Sequence, residues 1–167
     1  MRVSAGVIGV DPGLASTGYA VLAGSGTRLR VLALGTIRTS PRTPHPERLR
    51  AIHDGIAALA AAHEADAAAI ESWFVHPVSR SAMGMAEARG AILVALAGAA
   101  VEVTEYAPNT IKQAVTGQGG AAKAQVRAMV RRLAAAEPRG DHEADALAAA
   151  ICHLSSAPLR GAIRRAR

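Results

Sequence analysis

An uncharged apolar run, Val7-Ile8-Gly9-Val10, is stopped by Asp11-Pro12-Gly13, and the chain resumes with Thr17-Gly18-Tyr19-Ala20-Val21-Leu22. A run with no polar alternation has no face to give to water. It therefore predicts a strand buried on both sides, which needs cover above and below. Asp-Pro-Gly then turns the chain sharply: Asp favours the first turn position, Pro presets φ, and Gly accepts the left-handed region. A carboxylate is left at the C-terminal end of a central strand. In open sheets covered by helices, that is where ligands and metals gather. The same tripeptide closes many strands that carry no site, so on its own it leaves Asp11 either a turn former or a functional acid.

A second short uncharged run, Ala67-Ala68-Ala69-Ile70, also ends in a carboxylate, Glu71. Between the two, Arg28 to Thr39 alternates as a third strand of a meander through Ala23-Gly24-Ser25-Gly26, and prolines 41, 44 and 46 make a loop. Leu49, Ile52, Ile56 and Leu59 recur at helical spacing over about 47–62, and a Gly-containing helix follows from about Ser79 to Ala97. Val101 to Tyr106 reads as a strand. Pro108-Asn109 opens a short helix that Gly117-Gln118-Gly119-Gly120 breaks, and helix resumes through Lys123 and Arg127 to about Ala135. The last helix runs from Asp141 to about Leu154. This order predicts an α/β fold: a five-stranded mixed sheet flanked by helices on both faces, with residues 1–154 as one domain and 155–167 as a basic, flexible tail.

No apolar stretch reaches membrane-spanning length without an Arg or Glu, and no signal-peptide pattern is present, so a soluble, cytoplasmic chain is expected. The single cysteine, Cys152, has no partner for an intrachain disulfide and reads as a small core residue. Charge is unevenly placed. Residues 1–108 carry nine basic and nine acidic side chains, whereas 109–167 carry ten and four, so the net +6 belongs to the second segment. A basic segment beside a balanced one points to a polyanionic partner such as nucleic acid, although solvated basic helices give the same count. The 19 basic residues include only two lysines, Lys112 and Lys123, and both fall in this segment.

The last helix carries the sharpest chemical signal. Asp141 and Asp145 share a face at i, i+4, and His142 lies beside them at i, i+3 to Asp145. Beyond the first turn, apolar residues surround the helix, so an ionised Asp145 needs compensation by a dipole, an arginine or a metal. Asp141 is equally a helix N-cap, and Glu143, facing elsewhere, reads as a solvated first-turn acid. Asp11, Glu71 and Asp145 together form an oxygen set suited to Mg²⁺ or Mn²⁺, and an imidazole from His142 favours Mn²⁺ slightly. Acids converging on two divalent ions beside a basic surface suit phosphodiester hydrolysis, with His142 a ligand, a proton-transfer group or simply a helix-start residue.

The chain resembles the RuvC Holliday-junction resolvases of the ribonuclease-H-like superfamily. The likeness rests on Gly9-Val10-Asp11-Pro12-Gly13 with Thr17-Gly18-Tyr19, Ala69-Ile70-Glu71, Ala88-Arg89-Gly90, Tyr106-Ala107-Pro108, Ile111-Lys112-Gln113, Val115-Thr116-Gly117, Lys123-Ala124-Gln125-Val126 and Ala144-Asp145-Ala146-Leu147-Ala148. It implies a ribonuclease-H-like sheet and a homodimer that binds a four-way DNA junction and nicks two opposing strands symmetrically in recombination and repair. It also implies a partnership with the RuvA-RuvB branch-migration complex. Asp11, Glu71 and Asp145 match metal-binding acids, which implies two Mg²⁺ or Mn²⁺ ions per site, while Lys112 and Lys123 match residues near the scissile phosphate. The position three before Asp145 is an acid in some members and is His142 here, which bears on ligand count and metal preference. Phe74 matches an aromatic that stacks on a base at the opened junction, Trp73 is either its companion or a core cap, and Arg80 is a phosphate contact or a solvated helix-start residue. The pattern assigns Met83, Ala86, Gly90 and Leu93 to the core; the resemblance nominates that face for the dimer contact.

Two other readings compete. Asp11-Pro12-Gly13 with Thr17-Gly18 also looks like the phosphate loop of actin-like sugar kinases, but those close a second domain over the nucleotide, for which 167 residues leave no room. A non-catalytic DNA-binding module of the same fold has no need of Glu71 or Asp145.

Overall fold

The computed structural model describes residues 6–25, 28–72 and 79–156. Its elements follow in the order β1 (Val7–Asp11), β2 (Ser16–Ser25), β3 (Arg28–Arg38), α1 (His45–Ala62), β4 (Ala67–Glu71), α2 (Arg80–Gly98), β5 (Glu102–Tyr106), α3 (Pro108–Thr116), α4 (Lys123–Ala134) and α5 (Asp141–Ser155). The sheet order is β3-β2-β1-β4-β5, so the uncharged opening strand is the middle one. β1 and β3 each run antiparallel to β2, while β1, β4 and β5 are mutually parallel. A mixed sheet with helices on both faces is therefore observed as expected. No helix of the described residues is long and apolar enough to cross a membrane.

Alternation along the strands divides the core in two. Val7, Ala20, Leu22 and Ala69 pack beneath α3, α4 and α5, whereas Ile8, Val10, Val21, Ala68 and Ile70 pack against α1 and α2. Positions 7, 9 and 11 of β1 and 67, 69 and 71 of β4 thus look toward the α5 side. The parallel register sets Val10 beside Ile70, which places Asp11 and Glu71 next to each other at the end of the sheet. α5 is buried from Ala146 to His153, and its alanines let its axis lie close to the strands. Two sheet glycines complete the seat. A Cβ on Gly9 would overlap the carbonyl oxygen of Ala146, and one on Gly18 would overlap that of His142.

One expectation about α2 is reversed. Its inward residues are Gly84, Ala88, Ile92, Ala95 and Leu96. Met83, Ala86 and Gly90 are exposed, and Leu93 is half-buried. This helix is apolar on nearly every side, so periodicity cannot select its core face. The small residues chose it: Gly84 admits Leu14 from the β1–β2 turn, 3.0 Å from where a Cβ would stand.

Candidate active site

The four proposed ligand positions meet at the C-terminal edge of the sheet. Asp11 and Glu71 arrive from β1 and β4, and the first turns of α5 bring His142 and Asp145 over them. His142 Nδ1 lies 2.6 Å from Asp11 Oδ2, where it donates to the carboxylate, and Nε2 is the ring nitrogen left for another partner. Lys123, at the start of α4, sets its Nζ 3.3 Å from Asp145 Oδ2 and 3.3 Å from Asp141 Oδ2. Glu71, Asp145, Lys112 and Lys123 line one hollow, with Pro108, Ile111, Val126 and Ala148 as its apolar floor. A second hollow adjoins it on the α2 side, lined by Asp11, Pro12, Glu71, Met85 and Arg89.

The acids feel one another. Burial pushes the Asp11 carboxyl above the usual carboxylate range; the His142 hydrogen bond works against this, and the nearby Asp145 adds to it. Glu71 is also raised, first by burial and then by Asp145 and Asp11, with Lys112 and Lys123 opposing. For Lys123, burial lowers the pKa, but Asp145 and Asp141 outweigh it and hold the ammonium charged. The cluster is thus a concentration of negative charge that only a cation relieves fully. Among the described residues, no three His, Cys, Asp or Glu side chains close on one point as a preformed metal cage. Asp11 instead engages His142, and Asp145 engages Lys123. The donors still fit a hard divalent ion: three carboxylates lie close together, burial and the neighbouring acids raise the proton affinity of Asp11 and Glu71, and an imidazole nitrogen stands beside them.

Two helix-start acids differ from expectation. Gly140 occupies the N-cap position, and Asp141 is the first helical residue, its carboxylate shared between Lys123 and Arg127, the latter at 3.2 Å. Asp141 is therefore an anchor for α4. Glu143 is 7% exposed, not solvated, and accepts a 2.8 Å hydrogen bond from the Arg139 backbone N–H. The loop before α5 folds back across the helix start and covers Glu143, a contact with no trace in helical periodicity. Arg80 begins α2 and lines a groove with Arg48 that reaches His142. Trp73 and Phe74 lie outside the described residues.

Some supporting residues escaped the sequence reading. Gly9 and Gly18 carry the approach of α5, and a glycine inside an otherwise buried strand is the signal for close backbone approach. Arg89, buried to 16% side-chain exposure, pairs with Glu105 and so ties α2 to β5. Buried Tyr106 lies 3.0 Å from His153 Nδ1 beneath α3 and α5.

The sequence model of the family described as "Crossover junction endodeoxyribonuclease RuvC" matches residues 7–153. A crossover junction endodeoxyribonuclease RuvC of Alkalilimnicola ehrlichii is 44% identical over 161 residues, covering 96% of this chain and 97% of that protein. One from Chloroflexus aggregans is 42% identical over 153 residues, 90% of this chain and 93% of the relative. Among solved structures, Thermus thermophilus RuvC in complex with a Holliday junction substrate superposes with a TM-score of 0.88 at 36% identity, over 93% of this chain and 96% of that one. The yeast mitochondrial Holliday junction resolvase Ydc2 superposes with a TM-score of 0.61 at 9% identity, over 93% of this chain and 82% of that one, a likeness of fold alone.

Proposed function

Because the chain belongs to the crossover junction endodeoxyribonuclease RuvC family, with its ribonuclease-H-like fold, we propose that it resolves four-way DNA junctions by metal-dependent nicking of two opposing strands, in recombination and repair. The observation that carries this reading is the meeting of Asp11, Glu71 and Asp145, from three separate elements, beside Lys112 and Lys123. No structural need of the fold calls for three carboxylates gathered at one edge of the sheet, two of them with raised pKa.

In this reading Asp11, Glu71, Asp145 and Nε2 of His142 hold two Mg²⁺ or Mn²⁺ ions, the imidazole favouring Mn²⁺. Bound divalent ions supply an activated water and charge neutralisation at the leaving oxygen. The protein's own groups do the rest. Asp11 orients the His142 ring through Nδ1, leaving Nε2 as the nitrogen that would bind an ion. Lys123 has three donors and spends two on Asp141 and Asp145, which leaves the third for a phosphate oxygen. Lys112, on α3 at the rim of the same hollow, supplies compact positive charge where the polyanion meets the acids. Phe74 and Trp73 are proposed to stack on bases at the opened junction, and Arg80 to touch phosphate.

Symmetric nicking needs two sites in one assembly. Met83 and Val94, 56% and 63% exposed, lie on an outer face of α2 that also carries Ala86 and Gly90. Such a small, apolar face supports a homodimer formed through α2. Association with a RuvA-RuvB branch-migration complex and a cytoplasmic location follow from family membership alone. The test is incubation with a mobile four-way junction and Mg²⁺ or Mn²⁺. Paired symmetric nicks that vanish in Asp11→Asn are expected; junction binding without cleavage under every divalent ion would leave a non-catalytic junction-binding module.

A further inference from the structure

A groove on the α1–α2 side of the sheet edge runs away from His142 along the β1–β2 turn. Arg48, Arg80, Leu14 and Gly84 line it along its length, with Ser16 and His142 at the end near the acids. Three arginines are ion-paired: Arg89 with Glu105, Arg127 with Asp141, and Arg131 with Glu137. Arg48 and Arg80 have no acidic partner among the described residues. The acid that lines the groove, Glu87, is held 2.7 Å from His45 Nε2. Positive charge is thus left uncompensated beside a site already crowded with carboxylates.

Arg48 is also held in place. Its Nε donates to Thr39 Oγ1 at 2.9 Å, while the Thr39 hydroxyl donates to the Leu14 carbonyl and the Thr39 N–H donates to Ala15 O at 3.0 Å. The arginine is therefore keyed through Nε to the turn that presents Asp11, and its two outer nitrogens carry no hydrogen bond or ion pair among the described residues. A guanidinium fixed at one edge retains a fork suited to two phosphate oxygens.

Lys112 and Lys123 stand on the α3–α4 side of the acids, and Arg48 and Arg80 on the α1–α2 side. A DNA strand whose reacting phosphate lies over Asp11 and Glu71 must continue in both directions, and its next phosphates need cations on both sides. We propose that Arg48 and Arg80 form a phosphate clamp that holds the cut strand's backbone on the α1–α2 side of the active site. This rests on the reading of the chain as a junction nuclease, and adds Arg48 as a residue that binds the substrate.

The test compares Arg48→Gln, Arg80→Gln and the double variant with wild type for binding a labelled four-way junction, in EDTA, across a salt series. The slope of log affinity against log salt should flatten by roughly 0.7 to 0.9 for each arginine removed. Arg48→Lys should keep most of the wild-type slope, which a purely structural role of the Arg48–Thr39 bond would not predict. Methylphosphonates at phosphates flanking the cut should weaken wild-type binding and leave the double variant indifferent. Arg80→Gln, which removes no hydrogen bond or ion pair among the described residues, keeps the test intact if Arg48→Gln fails to fold. Unchanged slopes in folded variants overturn the clamp while wild-type cleavage stands. A wild-type protein that neither binds nor cuts junctions overturns the clamp and the functional reading together.

Discussion

Gly9→Ala places one methyl group where β1 touches α5, and its consequences can be followed to the acids. The added Cβ would overlap the Ala146 carbonyl and stand 2.8 Å from the Ala150 nitrogen and 2.9 Å from the Ala150 Cβ. Ordinary carbon–carbon contact lies at about 3.5–4.0 Å, so the Ala150 contact alone asks α5 to retreat by about 0.6–1.1 Å, and the carbonyl asks for more. The obstruction is helix backbone, so no side-chain rotation relieves it. Asp145 is the residue next to Ala146 and must move with it, away from Asp11 and Glu71. A displacement of about 1 Å at a catalytic constellation costs on the order of 10²-fold in rate, and overpacking of this kind costs about 1–3 kcal/mol of stability. Single-turnover cleavage of a junction should therefore fall by roughly two orders of magnitude, while junction affinity in EDTA changes little. Gly98→Ala, with nothing within 4 Å of its added Cβ, serves as the control and should cut at the wild-type rate. A folded Gly9→Ala protein that cuts normally would refute the reasoning, because the acids would then not depend on the depth at which α5 sits.

Three further outcomes follow from the site and the α2 face. Glu71 has a raised folded-state pKa, so its ionised form costs stability above the unfolded pKa, and the cost fades as pH falls through the folded value. Metal-free Glu71→Gln should melt above wild type at neutral pH, with the gap closing on acidification; a lower neutral-pH melting temperature would count against the repulsion. Lys112→Ala should lower the cleavage rate constant more than junction affinity, and an equal loss in both, measured by single-turnover kinetics and anisotropy, would make Lys112 merely a binding residue. Val94→Glu, on the outer face of α2 at 63% exposure, should leave the fold intact and shift the protein to monomer by light scattering, whereas an unaltered dimer would move the interface elsewhere.

Much of this was legible in the chain itself. The uncharged runs ending at Asp11 and Glu71, and the apolar surroundings of Asp145, marked three carboxylates that burial makes costly, and strands and helices fell close to their observed bounds. The failures share one cause, since each concerned a choice that local pattern leaves degenerate. α2 is apolar around its circumference, so only packing against Leu14 and the α1 side decided that Gly84, Ala88 and Ile92 turn inward and Met83 outward. Glu143 was exposed by its position on a helix, yet the preceding loop buried it against the Arg139 N–H.

The sequence by itself determined which residues carry charge at the ends of buried elements, because burial of a run is written in its lack of polar side chains. Which side of the sheet those ends face was decided by the tertiary structure, through strand parity and the parallel register of β1 with β4. The depth of α5 was decided there too, by the absence of a side chain at Gly9 and Gly18. So was the pairing of Asp11 with His142 and of Lys123 with Asp141 and Asp145. The first joins residues 131 apart in the chain, and only the packing of α5 onto the sheet brings them within hydrogen-bonding reach; the second depends on how α4 packs against the start of α5.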